Sequence, residues 1–126
     1  MTGNTPLKIL LVDNERTIAD TLGKILVLNG FSVVIAYDGQ DALNRAKAES
    51  FDVLFTDVIM PGMNGIQAAE EIKKMRPQCK VILFSGNLST QHLLDEARAG
   101  GVNFEILPKP THPDEIIDRL RSITQE

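Results

Sequence analysis

Short apolar runs alternate with longer segments of helical period along the whole chain. The run LKILLVD (Leu7–Asp13) is almost uninterrupted and too short for an ordinary helix, so it predicts a strand buried on both faces. In NERTIADTLGKILVLNG, residues Ile18, Leu22, Ile25 and Leu26 recur about one turn apart. Asn14 suits the N-cap of that helix, Glu15 its first turn and Gly30 its C-terminal stop. FSVVIA (Phe31–Ala36) then reads as a strand, and DGQDALNRAKAES as a turn running into an Ala-rich helix. FDVLFTD is a third strand. NGIQAAEEIKKM places Ile66, Ala69, Ile72 and Met75 on one helical face and stops before Pro77. KVILFSG predicts a fourth strand, and STQHLLDEARAGG a helix opened by Ser89 and closed by Gly100-Gly101. NFEIL is a shorter fifth strand. PDEIIDRLRSI closes the series as a fifth helix, with Ile116, Leu120 and Ile123 in register.

Strict strand–helix alternation predicts an α/β fold, a doubly wound five-stranded parallel sheet with five helices on its two faces, because parallel neighbours need crossover connections. In such sheets ligands sit beyond the carboxyl ends of the strands. The residues there are Asp13-Asn14, Tyr37-Asp38, Asp57, Ser85-Gly86 and Pro108-Lys109-Pro110. At 126 residues the chain suits one domain, residues 1–126 with a core of about 7–123. A net charge of −4 argues against direct contact with nucleic acid. A single cysteine, Cys79, fits a reduced compartment, the polar start MTGNTPLK lacks the apolar core of a signal peptide, and no run approaches a membrane span. The expectation is a cytoplasmic protein with no membrane contact.

Taken singly, each strand-end residue has an ordinary explanation: Asp13 or Asp57 as a turn or cap, Ser85 as a loop hydroxyl, Lys109 as a solvated charge, Phe104 as core. Their placement on one sheet edge changes the weighting. Two carboxylates brought together repel unless a cation lies between them. An oxygen-only cluster with few protein ligands is what Mg2+ accepts, since it keeps several waters and shares phosphate oxygens. Asp57 would then attack phosphorus to form an acyl phosphate. Lys109 would act as a point charge on the phosphoryl oxygens, and Ser85 as a hydroxyl donor.

ILLVDNE, DVLFTDVIMPGMNG, VILFSG and ILPKP also closely resemble the diagnostic segments of receiver domains of two-component response regulators, over about Leu7–Ile123. The resemblance implies a flavodoxin-like strand order of 2-1-3-4-5. It implies that Asp57 accepts a phosphoryl group from a histidine kinase or a histidine phosphotransfer protein. Asp13, Asn14, Asp57 and the backbone carbonyl of Ile59 would surround the magnesium. Ser85 and Lys109 would contact the phosphate, and Ser85 and Phe104 would move together on activation. The Lys109–Pro110 bond would be cis. Such a protein is a switch, not an enzyme, apart from Mg-dependent self-phosphorylation and self-dephosphorylation. Its output would pass to an effector protein or to a C-terminal output domain, through the surface of the fourth helix, fifth strand and fifth helix. Pairing of two copies through that surface is not decided by the charges at Arg98, Asp114 and Arg119.

The departure from the family pattern is Asn14, where receivers generally carry a second acid. Losing one negative charge beside a divalent ion predicts weaker magnesium binding. Ile59, two residues after Asp57, and Asn87, two after Ser85, are expected to line the path of hydrolytic water and tune the lifetime of the phosphorylated state. A receiver-like interaction domain that is not phosphorylated stays in view because of Asn14. A Mg-dependent phosphohydrolase would call for a D-x-D pair after the first strand, and VDNE has none. A nucleotide or flavin binder would need a phosphate loop where DNERT stands.

Overall fold

The side chains of a strand point alternately to its two faces, so a strand apolar at every position must be covered on both. The computed structural model, which describes residues 6–85, 95, 104–109 and 111–124, meets that demand with helices on either side of one sheet. In chain order the elements are β1 (Lys8–Val12), α1 (Arg16–Leu28), β2 (Ser32–Ala36), α2 (Gly39–Ala48), β3 (Val53–Asp57), α3 (Gly65–Met75), β4 (Lys80–Ser85), β5 (Glu105–Pro108) and α4 (Pro113–Ile123). The helix expected from Ser89 to Gly100-Gly101 lies outside the described residues except for Asp95, which is helical. Gly86, Asn87, Arg98 and Pro110 also lie outside them, so α4 is the fifth helix of the sequence reading.

All strand pairs are parallel and the order is β2-β1-β3-β4-β5, as the resemblance implies. Alternation along the strands sorts the core into two layers. Leu10, Val12, Leu54 and Leu83 face Ala42, Leu43, Ala46, Ile66, Ala69 and Ile72 of α2 and α3. Ile9, Leu11, Val53, Phe55 and Ile82 face Leu22 and Leu26 of α1 and Ile116, Ile117 and Leu120 of α4. Every residue of β3 is buried, including the aspartate that ends it.

The helix ends follow local chemistry with one correction. Asp38 accepts from the Asp41 amide to start α2. Asn64 and Gln67 form a reciprocal capping box at α3. Gly30, at φ +94°, ends α1: its amide donates to Val27 and the Phe31 amide to Leu26, the paired bonds of a left-handed helix stop. At the start of α1, however, the cap is Glu15 and not Asn14, and no side chain caps it. The reason lies one residue earlier. The Asp13 carboxylate accepts the Glu15 amide at 2.9 Å, holding the chain extended for one more residue before the helix begins.

Candidate functional site

The strand order reverses direction between β1 and β3, and the crevice at such a point opens beyond their carboxyl ends. Asp13 follows β1 and Asp57 ends β3, so the two acids meet there, 2% and 9% exposed. Lys109 enters from the loop after β5, held by its backbone amide donating to the Ser85 carbonyl at 3.1 Å. Its Nζ donates to Asp13 Oδ2 at 3.0 Å and to Asp57 Oδ2 at 3.3 Å. The three side chains come from positions up to 96 residues apart in sequence.

Each group has a defined support. Asp13 divides its oxygens, Oδ1 to the Glu15 amide and Oδ2 to Lys109. The Lys109 ammonium lies 5.1 Å from the centre of the Phe84 ring, which stacks at a tilt on Phe55. The Asp57 main chain is braced by Gly65, the first residue of α3. The Gly65 amide donates to the Val58 carbonyl at 2.8 Å, and a Cβ there would lie 1.9 Å from the Asp57 carbonyl oxygen. Only a residue without a side chain lets the helix start so close to the strand end.

Burial pushes the Asp57 carboxyl above the usual carboxylate range; the Lys109 charge opposes this and the Asp13 charge adds to it. Burial acts to lower Lys109, but its hydrogen bond to Asp13 and the charges of both aspartates outweigh that and raise it. Lys109 thus stays charged, and the pair of buried acids is only partly compensated by it.

The donor set fits a small hard cation. Two buried carboxylates facing one ammonium carry uncompensated negative charge, and their neighbours Asn14 and Ile59 offer neutral oxygens. Among the described residues no group of three or more His, Cys, Asp or Glu side chains is arranged to hold a metal ion.

The remaining expected residues are placed less uniformly. Asn14 is exposed beside Asp13, and Ile59 is 46% exposed beside the Asp57 turn. Ser85 ends β4 half-buried, one position beyond Phe84, the register partner of Asp57. Phe104 is half-buried just before β5, packed against the α2–α3 layer. Asn87 lies outside the described residues. Three supporting residues escaped the sequence reading: Phe84, Gly65 and Glu15, whose Oε1 lies 4.0 Å from Lys109 Nζ. Phe84 shares the sheet face of Phe55 by alternation, a signal that was available. The contacts of Gly65 and Glu15 had no sequence signal, since both depend on how separate elements meet.

Comparison with known proteins identifies the family. The family model described as Response regulator receiver domain matches residues 9–121. The chain is 34% identical over 116 residues to the transcriptional regulatory protein CpxR of Escherichia coli, covering 92% of this chain and 48% of that protein. It is 28% identical over 118 residues to the response regulator MprA of Mycolicibacterium vanbaalenii, covering 94% of this chain and 50% of that one. It thus spans about half the length of these curated relatives. Among solved structures, a receiver domain protein of Methanospirillum hungatei aligns at TM-score 0.86 and 26% identity, covering 96% of this chain and 95% of that one. The response regulator TrrA of Thermotoga maritima, solved in complex with Mg(2+)-BeF, aligns at TM-score 0.80 and 27% identity, covering 93% and 98%.

Proposed function

The chain belongs to the family of response regulator receiver domains, and from that premise we propose that Asp57 accepts a phosphoryl group and that the fold relays its arrival. The observation that carries this reading is the Lys109 ammonium, in hydrogen-bond contact with Asp13 and Asp57 at once. The donor is a histidine kinase or a histidine phosphotransfer protein. An Asp57 oxygen attacks phosphorus, the O–P bond forms as the P–N bond of the phosphohistidine breaks, and the departing imidazole takes up a proton. Lys109 exchanges its Asp57 contact for a phosphoryl oxygen, and the Ser85 hydroxyl donates to another. Asp13, Asp57, the Asn14 amide oxygen and the Ile59 carbonyl would hold magnesium. Bound there, the ion would supply the positive charge that phosphoryl oxygens need beside two carboxylates.

A partly open apolar groove supports a protein as donor. Ile18, Leu22, Phe84, Pro113 and Ile116 line it between α1 and the start of α4, with Lys109 at its edge. A phosphorylated imidazole on a partner helix could approach the acceptor along it. Downstream, drawing Ser85 toward the phosphate vacates space for Phe104, changing the surface around β5 and α4 that an effector protein or an output domain reads. Asn87 and Ile59 tune how fast water removes the phosphate.

Acetyl phosphate or beryllofluoride, titrated with and without magnesium and followed by mass and amide NMR shifts, tests the reading. The expected result is Mg-dependent modification that is absent in Asp57→Asn. Inertness toward phosphodonors at saturating magnesium would leave the alternative that Asn14 favours, an interaction domain that is not phosphorylated.

A further inference from the structure

The sheet ends at β2, which among the described residues pairs with β1 alone. The Ser32 amide donates to the Leu7 carbonyl and the Asp13 amide to the Ala36 carbonyl, so the even-numbered positions of β2 face β1. Alternation then turns the amides and carbonyls of Val33 and Ile35 toward the open edge. Exposed edges are commonly blunted by charge or proline, and the strand SVVIA carries neither. Beside this edge runs a groove of about 540 Å³ between β2 and α1, with Val33 and Ile35 on the strand side and Val27 and Leu28 on the helix side. Val27 is 55% exposed and Leu28 85%, so the helix wall is apolar and uncovered. Gly23 lets Ile35 lie against the helix, since a Cβ there would stand 2.8 Å from Ile35 Cδ1. We infer that this edge and groove bind an extended segment of a protein partner. That segment adds a further strand beside β2, seats alternate apolar side chains in the groove and meets Lys24 with an acid.

Each part of the surface selects that occupant. Donors and acceptors alternating along an open edge ask for the backbone of a strand; a helix has already paired its own main-chain groups. Val33 and Ile35 pack on the α1 side of the sheet, so an added strand brings every second side chain to that same side. The charge on the helix wall sets the remaining feature. Asp20 accepts the Tyr37 hydroxyl at 2.6 Å, whereas Lys24 is exposed and has no hydrogen bond or ion pair among the described residues. The unmatched charge is therefore positive. A second copy fits less well, because antiparallel pairing of two β2 edges centres on Val34. That pairing draws Lys24, next to Gly23 over Ile35, toward its own symmetry mate, like charge against like.

The probe is a blocked peptide, acetyl-Thr-Val-Thr-Val-Thr-Glu-amide, whose valines and glutamate share one face when extended. It is titrated into the isotope-labelled full chain and followed by amide NMR shifts and hydrogen exchange. In the free chain the Val33 and Ile35 amides should exchange rapidly and the Val34 amide slowly; saturating peptide should protect the first two and leave Val34 unchanged. Val33→Pro removes one outward donor without touching the β1 ladder, and should weaken binding about fivefold with the fold retained. Lys24→Glu, on the exposed surface, should weaken it about fivefold and favour the peptide ending in lysine instead. Absence of saturable shifts at millimolar peptide would overturn the inference, as would affinity indifferent to Lys24→Glu. Protection of Val33 and Ile35 that rises with protein concentration without peptide would also overturn it, since the occupant would then be a second copy.

Discussion

Replacing Gly65 by alanine sets local propensity against tertiary packing, and the two predict opposite signs. By helix propensity alone, Gly→Ala at an α3 position should stabilise by up to ~1 kcal/mol. In the folded chain the new Cβ would stand 1.9 Å from the Asp57 carbonyl oxygen, 2.9 Å from its carbon and 3.0 Å from the Val58 Cα. All three are main-chain atoms, so no side chain can rotate away. Restoring even a 3.0 Å separation requires α3 to withdraw from β3 by about 1.1 Å, the difference between 3.0 and 1.9. That would stretch the 2.8 Å bond from the Gly65 amide to the Val58 carbonyl to roughly 3.9 Å, beyond hydrogen-bond range. Losing the bond and leaving its carbonyl unsatisfied costs ~2–4 kcal/mol. Set against the propensity gain, the net is a destabilisation of about 2 kcal/mol. With a urea m-value of ~1–3 kcal/mol/M, the midpoint should fall by on the order of 1 M. The same movement removes the main-chain brace behind Asp57, so uptake of phosphoryl from acetyl phosphate should slow. Equilibrium urea unfolding followed by far-UV circular dichroism decides the matter. A Gly65→Ala protein as stable as the parent, or more so, would refute the account of how α3 braces the site.

Other substitutions probe the electrostatics. Asp57→Asn should stabilise the protein by on the order of 1 kcal/mol at pH 7, because burial and Asp13 raise the folded pKa of this carboxyl above its unfolded value. With the folded value raised, the penalty sets in as pH climbs above about 3.8 and is absent below it, so the gap between the two proteins should close in acid. Lys109→Met should destabilise by ~3 kcal/mol, since it strips the shared counter-charge from two buried acids. Lys109 is raised in the folded state, so its contribution is complete below the ordinary lysine value of 10.5 and is lost as pH rises through the folded value. Urea midpoints across pH would show that gap shrinking only in strong alkali. Cys79 is 1% exposed and burial pushes its thiol up to about 11. A disulfide reagent at pH 8 should therefore react with it only at the rate of global opening, and rapid labelling of native protein would refute that burial.

The departures from the sequence reading are few and informative. The cap of α1 moved from Asn14 to Glu15 because Asp13 used one oxygen to hold the following turn, a competition a single-residue preference does not capture. Glu15, read as a first-turn residue, instead caps α1 and stands beside Lys109. Gly65 was visible only as part of a motif, and its reason is a backbone approach made in space.

Element type and direction were legible in the chain because they rest on short-range periods: alternating or continuous apolar runs for strands, one-turn spacing for helices, and caps at their ends. Direction follows too, since strands separated by helices run parallel, and this puts Asp13, Asp57, Ser85 and Lys109 at one edge by sequence alone. What tertiary structure alone decided is which of those ends touch. The contacts of Lys109 with Asp57 and Asp13 span 52 and 96 residues of chain, and their 3.3 and 3.0 Å lengths depend on strand order, register and loop path together. Local sequence preferences act over a few residues; convergence of charge across the sheet is settled only when the two core layers close around it.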